Sequence, residues 1–147
     1  MINRTVRNFE IKELIATGGM AAIYKAVQVS LDRVVAIKIL HGHLAQDQNF
    51  ITRFEREAKA AANLQHENIV NIIDFGKAED VYFIAMEYVE GRSLKDLIAS
   101  IKFIPLDIAL TIAHAILQGL DHAHKKGVVH RDIKPANILI SHNGVAK

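Results

Sequence analysis

Eight consecutive residues, His130-Arg131-Asp132-Ile133-Lys134-Pro135-Ala136-Asn137, bring an acid, an amine and an amide close together in the chain. Asp132 can accept a proton from an attacking hydroxyl. Lys134 can neutralise charge on a group in transfer. Asn137 offers an amide oxygen, a hard ligand suited to Mg²⁺. Phosphoryl transfer asks for such parts, because its catalysis is mostly positioning and electrostatic stabilisation. Read as a plain polar loop, with Asp132 capping locally, the run would need no partners elsewhere.

Two other residues are placed as if they were partners. Lys38 lies inside the apolar run Val34-Val35-Ala36-Ile37-Lys38-Ile39-Leu40. Glu57 falls on one helical stripe with Phe50, Phe54, Ala61 and Leu64, by their alternating spacing of four and three. A buried unpaired charge is costly, so each of the two predicts the other as its counter-ion. Either alone could snorkel to solvent. The order of strand lysine, helical glutamate and acid-bearing loop favours the pair. Ala16-Thr17-Gly18-Gly19-Met20-Ala21 could let backbone N–H groups approach a phosphate. By itself, a pair of glycines between two strands is ordinarily only a hairpin.

The elements that must position these residues follow from periodicity and punctuation. Strands are predicted at Phe9–Thr17, Ile23–Val27, Val34–Leu40, Ile69–Phe75 and Val81–Tyr88, with a helix from about Asp47 to Leu64. Ser93 can cap a short helix through Ser100. A long helix is predicted over Pro105–Lys126, with proline at its start, lysines in its last turn and Gly127 beyond. Ile138–Ile140 reads as a short strand, and Asn143-Gly144 as a two-residue hairpin signal. Leu106, Ile108, Leu110, Ile112, Ala113, Ile116, Leu117 and Leu120 point nearly all round the long helix. A helix of that kind wants burial on most sides, and the residues after it are too few to cover it. Truncation or self-association is the expectation.

Composition narrows the classes. The 147 residues are 50 % apolar and 23 % charged, which is a globular balance. Net charge is +2 with the basic residues dispersed, so no nucleic-acid partner is expected. No apolar run approaches the roughly 20 residues of a membrane span, and the N-terminus lacks a secretory h-region. Cysteine is absent, which fits a cytoplasmic location. The eight histidines show no metal-ligand spacing. No G-x-x-x-x-G-K-S/T run exists, which sets aside a P-loop NTPase.

From Phe9 to Lys147 these residues resemble the eukaryotic-type protein kinases, most closely the bacterial serine/threonine branch. Val35-Ala36-Ile37-Lys38 looks like the phosphate-binding lysine strand. Glu57, in Arg53-Phe54-Glu55-Arg56-Glu57, looks like the helical glutamate that pairs with it. His66-Glu67-Asn68-Ile69-Val70 resembles the loop after that helix, and Met86-Glu87-Tyr88-Val89-Glu90-Gly91 the gatekeeper and hinge. The resemblance implies an α+β fold: a five-strand antiparallel N-lobe sheet with one helix over about residues 9–88, then hinge and the first part of a helical C-lobe over 89–147. ATP would lie between them. The Glu87 carbonyl and Val89 backbone would hold adenine, with Ile15, Ile23, Ala36 and Leu139 lining the pocket and Met86 as gatekeeper. Gly18 and Gly19 would cover the phosphates. Lys38, held by Glu57, would bind the α- and β-phosphates. Asp132 would deprotonate a protein serine or threonine hydroxyl, Lys134 would stabilise the transferring group, and Asn137 would bind Mg²⁺. Lys134 is the serine/threonine pattern rather than the tyrosine one.

The chain departs from the family twice. Ala16 and Ala21 replace the first and third loop glycines, leaving Gly18. The Asp-Phe-Gly run that should follow the Asp132 loop, whose aspartate is the main Mg²⁺ ligand in the family, does not occur between Asn137 and Lys147. The expectation is a partial kinase domain, inactive by itself. The alternative is a non-catalytic pseudokinase or nucleotide-binding scaffold.

Overall fold

The computed structural model describes residues 1–147, which divide into two compact units. The first comprises Met1–Asn63 and Asn71–Tyr88; the second comprises Leu64–Val70 and Val89–Lys147.

The first unit holds β1 (Thr5–Val6), β2 (Phe9–Thr17), β3 (Ala21–Gln28), β4 (Arg33–Leu40), α1 (Gln48–Ala62), β5 (Ile72–Ala78) and β6 (Val81–Glu87). The strands form one antiparallel sheet in the order β1-β2-β3-β4-β6-β5. Side chains alternate along a strand, and β4 is apolar on both faces. Val35, Ile37 and Ile39 point to one side and join Phe9, Ile11, Ala26, Phe83 and Ala85 in a buried core. Phe9 and Phe83 meet there with ring centroids 5.8 Å apart. Ala36, Lys38 and Leu40 point to the other side. On that side Ile51, Phe54 and Ala58 of α1 pack with Ala21, Leu40 and Ile84. Asp47 caps α1 by accepting from the Asn49 N–H at 2.8 Å.

The sheet has six strands rather than the five expected. The sixth, β1, is two residues long and doubles back on β2 through Thr5↔Glu10 and Val6↔Phe9. A strand that short shows no alternation to read, yet it buries Val6 in the core.

The second unit holds β7 (Gly91–Ser93), α2 (Leu94–Ile101), α3 (Leu106–Lys125), a 3₁₀ turn (Pro135–Asn137) and β8 (Leu139–Ser141). Its core is Leu94, Ile112, Ile138 and Ala146. The Ser93 hydroxyl caps α2 by accepting from the Asp96 N–H at 3.1 Å. At the end of α3, Gly127 adopts φ 74°, its N–H donates to His124 and the Val128 N–H donates to Ala123. This is the paired bonding of a Schellman stop. The chain turns back at Asn143-Gly144 through a three-residue loop: Gly144 alone of the pair has positive φ, and the Ser141 N–H donates to Val145 at 2.9 Å. A type I turn with a glycine bulge therefore replaces the expected two-residue turn.

The α3 helix buries one side through Ile112, Gly119 and Ala123. It leaves Leu106, Leu110 and Leu117 at 73 %, 61 % and 63 % exposure. Leu64–Val70 is fastened within this unit. The Asn68 amide donates to the Ala146 carbonyl at 2.8 Å, and the His66 and His122 rings lie 5.1 Å apart.

Gly119 is where α3 meets that segment, since a Cβ there would stand 2.7 Å from the Asn68 carbonyl oxygen. Glycine-to-alanine inside a helix ordinarily stabilises by about 1 kcal/mol. Here the sign reverses, because backbone must move. Gly119→Ala is expected to destabilise by about 1–3 kcal/mol, as for an overpacked core, read as a lower denaturant midpoint.

Candidate active site

In the first unit, the sheet register gathers the predicted residues. Lys38 pairs with Ile23 on one side and Ile84 on the other, and Ala36 pairs with Lys25 and Met86. Directly paired residues share a face, so Ile23, Ala36, Lys38 and Met86 lie together on the α1 face of the sheet. Ile15 falls at the β2 bulge between Leu14 and Ala16 and is about half exposed. Gly18 and Gly19 form the exposed turn between β2 and β3. Glu87 ends β6, and its N–H donates to the Asn71 carbonyl at 2.9 Å. Tyr88, which follows it, takes the Lys25 ammonium over its ring at 5.0 Å.

The Lys38 Nζ meets Glu57 Oε1 at 2.5 Å, with the Phe54 ring centroid 5.9 Å away. The expected pair is made, but its setting differs from expectation. The buried face of α1 is Ile51, Phe54 and Ala58. Glu57 sits at the border of that face with its side chain 52 % exposed, against 21 % for Lys38. The apolar stripe is shifted by one residue from the one read in sequence. A pair this accessible contributes about 0–1 kcal/mol to stability. What it provides is a fixed position for the lysine ammonium.

In the second unit the acid-bearing loop is closed on itself. Asp132 Oδ2 accepts from Lys134 Nζ at 2.9 Å and from Asn137 Nδ2 at 2.9 Å. Asn137 Nδ2 also donates to the Asp132 carbonyl at 2.8 Å, and the Asp132 N–H reaches His130 Nδ1 at 3.3 Å. The bend needs an unusual backbone, and Arg131 takes φ 67°. Lys134 opens the 3₁₀ turn, its carbonyl accepting from the Asn137 N–H at 2.9 Å. The Lys134 hydrogen bond first, and the Asn137 one second, hold the Asp132 carboxyl below its ordinary value. Asn137 keeps its amide oxygen as a possible metal ligand. No group of three or more His, Cys, Asp or Glu that could hold a metal occurs in the chain. Val89 and Leu139 belong to this unit, Leu139 as the first residue of β8.

Three features escaped sequence reading. One is the left-handed Arg131. Another is Gly91, whose Cβ would fall 2.0 Å from the Ile140 carbonyl oxygen. The third is His41, whose ring Nε2 lies 2.8 Å from the Gly18 carbonyl oxygen. Gly91 and His41 have no pattern in the sequence because each meets a segment far along the chain, and Arg131 because its bend is set by the side-chain contacts within its own loop.

A six-strand antiparallel sheet with a lysine on its central strand bonded to a helical glutamate, and a helical unit bearing an Asp-x-Lys-x-x-Asn loop, define a protein-kinase-type domain. Comparison agrees. The family described as "Protein kinase domain" matches residues 9–147. The serine/threonine-protein kinase PrkC of Bacillus subtilis is 49 % identical over 95 % of this chain, and a probable serine/threonine-protein kinase of Clostridium perfringens is 41 % identical over all of it. The crystal structure of the Mycobacterium tuberculosis PknI kinase domain superposes with a TM-score of 0.82 at 29 % identity, covering 97 % of this chain. The chain belongs to the protein kinase family, in its bacterial serine/threonine branch. It spans 22 % of the length of those two curated relatives and 58 % of the PknI kinase domain. No helix is long and apolar enough to cross a membrane.

The Asp132 carboxyl gives a direct test of the loop geometry. Its folded pKa is depressed, so the loop contacts contribute fully above the ordinary 3.8 and are lost as pH falls through the folded value. Lys134→Met is expected to raise that pKa toward 3.8. Carboxyl-carbon NMR titration of Asp132 in both proteins reads the shift; an unmoved midpoint would contradict the contact.

Proposed function

We propose that the chain carries the nucleotide and catalytic-loop parts of a serine/threonine protein kinase. Residues 9–88 form the N-lobe, and 89–147 the hinge and start of the C-lobe. ATP is the donor and a protein serine or threonine hydroxyl the acceptor. The observation that carries this reading is the Asp132 carboxylate held in one loop by Lys134 and Asn137. An ionised carboxylate can take the hydroxyl proton. Lys134, beside it, is placed to balance charge on the group in transfer. Lys38, steadied by Glu57, suits the α- and β-phosphates. The Glu87 carbonyl and Val89 backbone are assigned to adenine, with Ile15, Ile23, Ala36, Met86 and Leu139 as apolar lining. Gly18 and Gly19 are assigned to the phosphates.

Mg²⁺ is implied by the family. Asn137 is the residue here that would ligate it. One neutral amide oxygen falls short of the one or two carboxylates at which Mg²⁺ is usually held, so these residues by themselves do not make the metal site. The second reading is that the chain binds nucleotide without transferring phosphate. A cytoplasmic location fits the use of ATP and the absence of cysteine. The exposed leucines of α3 support self-association of the 147-residue chain.

In the intact protein, Lys38→Ala and Asp132→Ala are each expected to lower phosphoryl transfer to a serine peptide by about two to four orders of magnitude. Circular dichroism should be unchanged. Retained turnover in both would overturn the assigned roles, and nucleotide binding without turnover in the intact wild type would favour the second reading. For the 147-residue chain alone, sedimentation is expected to show species above the monomer mass and radiolabelled ATP no transfer. A phosphorylating monomer would refute both expectations.

A further inference from the structure

Gly18 and Gly19 lie at an exposed apex with little to hold them. A Cβ on Gly19 would meet nothing within 4 Å. Adjacent glycines have the widest backbone freedom of any pair, so the peptide between them can rotate readily. Its orientation matters for an anion. Carbonyl and N–H point opposite ways across a trans peptide, and phosphate is attracted by the N–H end and repelled by the oxygen.

One residue grips this turn from outside it. His41 follows β4 directly. Its backbone N–H donates to the Met20 carbonyl at 3.0 Å, and its ring Nε2 lies 2.8 Å from the Gly18 carbonyl oxygen. A carbonyl oxygen only accepts, so Nε2 carries the proton. The His41 backbone is itself fixed, because its carbonyl accepts from the Leu44 and Ala45 N–H groups at 2.9 and 3.1 Å. The His43 ring stacks on the His41 ring at 5.6 Å between centroids and 13° between planes. Inside the turn, the Gly18 N–H donates to the Ala21 carbonyl at 2.9 Å. The Gly18 and Met20 carbonyls are thus both drawn toward His41. Peptide planarity then directs the Gly19 and Ala21 N–H groups away from it.

We propose that His41 is a positioning residue for phosphate recognition, gripping two carbonyls of the glycine turn so that the Gly19 and Ala21 N–H groups present a fixed donor pair to the nucleotide. The proposal rests on the nucleotide-binding reading above. Lys38 stands three residues earlier, on β4, so that strand and the residue just after it set both the lysine and the turn.

The test uses the chain as it stands, with His41→Phe and His41→Gln. Phenylalanine keeps a ring to stack on His43 but has no N–H; glutamine restores a side-chain donor. Affinity for ATP and for adenosine is measured by calorimetry, and exchange of the Gly18 amide by NMR. His41→Phe is expected to weaken ATP about fivefold, the scale of one lost hydrogen bond, and to speed Gly18 exchange. Adenosine affinity should be unchanged, and His41→Gln should recover most of the ATP affinity. Equal losses for both ligands, or no loss for ATP, would overturn the proposal. Unchanged Gly18 exchange in His41→Phe would overturn the grip while leaving nucleotide binding intact. A wild-type chain that binds neither ligand would overturn the nucleotide reading, and the phosphate role of His41 with it.

Discussion

The first unit is organised by the need to place a lysine in the middle of its most buried strand. β4 pairs on both sides, with β3 and β6, and contributes Val35, Ile37 and Ile39 to one core. Lys38 must therefore stand on the opposite face, among Ile23, Ile84 and the flank of α1. Its counter-ion cannot come from the sheet, where the directly paired residues are Ile23 and Ile84. It comes from a helix laid across that face by Ile51, Phe54 and Ala58. The ion pair is too accessible to hold the helix down. Apolar packing of α1 fixes where Glu57 is, and Glu57 in turn fixes the ammonium.

The loop of the second unit solves a different problem with polar groups alone. Asp132, Lys134 and Asn137 are all exposed, so burial cannot order them. A left-handed residue, a proline-led 3₁₀ turn and a bidentate amide replace it. The same contacts that shape the loop lower the proton affinity of its carboxylate, so the two have one origin.

The sequence made the chemistry more legible than the packing. Lys38, Glu57 and the Asp132 loop stood out because charged residues in apolar runs, and a dense run of polar residues after a helix stop, are anomalies that need a reason. The ends of the helices were also legible, since Asp47, Ser93, Pro105 and Gly127 act through their own backbone neighbourhood. Glu57 was misplaced onto the apolar stripe because Phe50, at the first turn, gave the wrong phase; Ile51 is the residue that goes inward. β1 was missed because two residues carry no period. The His41 ring contact was invisible because it joins residues 23 apart through a side chain that many surface loops could carry.

The close approach at Gly91 has a thermodynamic meaning. β7 and β8 are bonded through Gly91↔Ser141, Arg92↔Ile140 and Ser93↔Leu139, and the ladder extends at both ends from His142 N–H to Glu90 and from Leu94 N–H to Ile138. Residues 90–94 and 138–142 therefore open together, because parting them breaks the backbone bonds of both. Any ligand that orders the backbone from Glu90 to Ser93 would lower the opening probability of the strand that follows the Asp132 loop. By reciprocity, a contact that steadies β8 must tighten binding of such a ligand by the same factor.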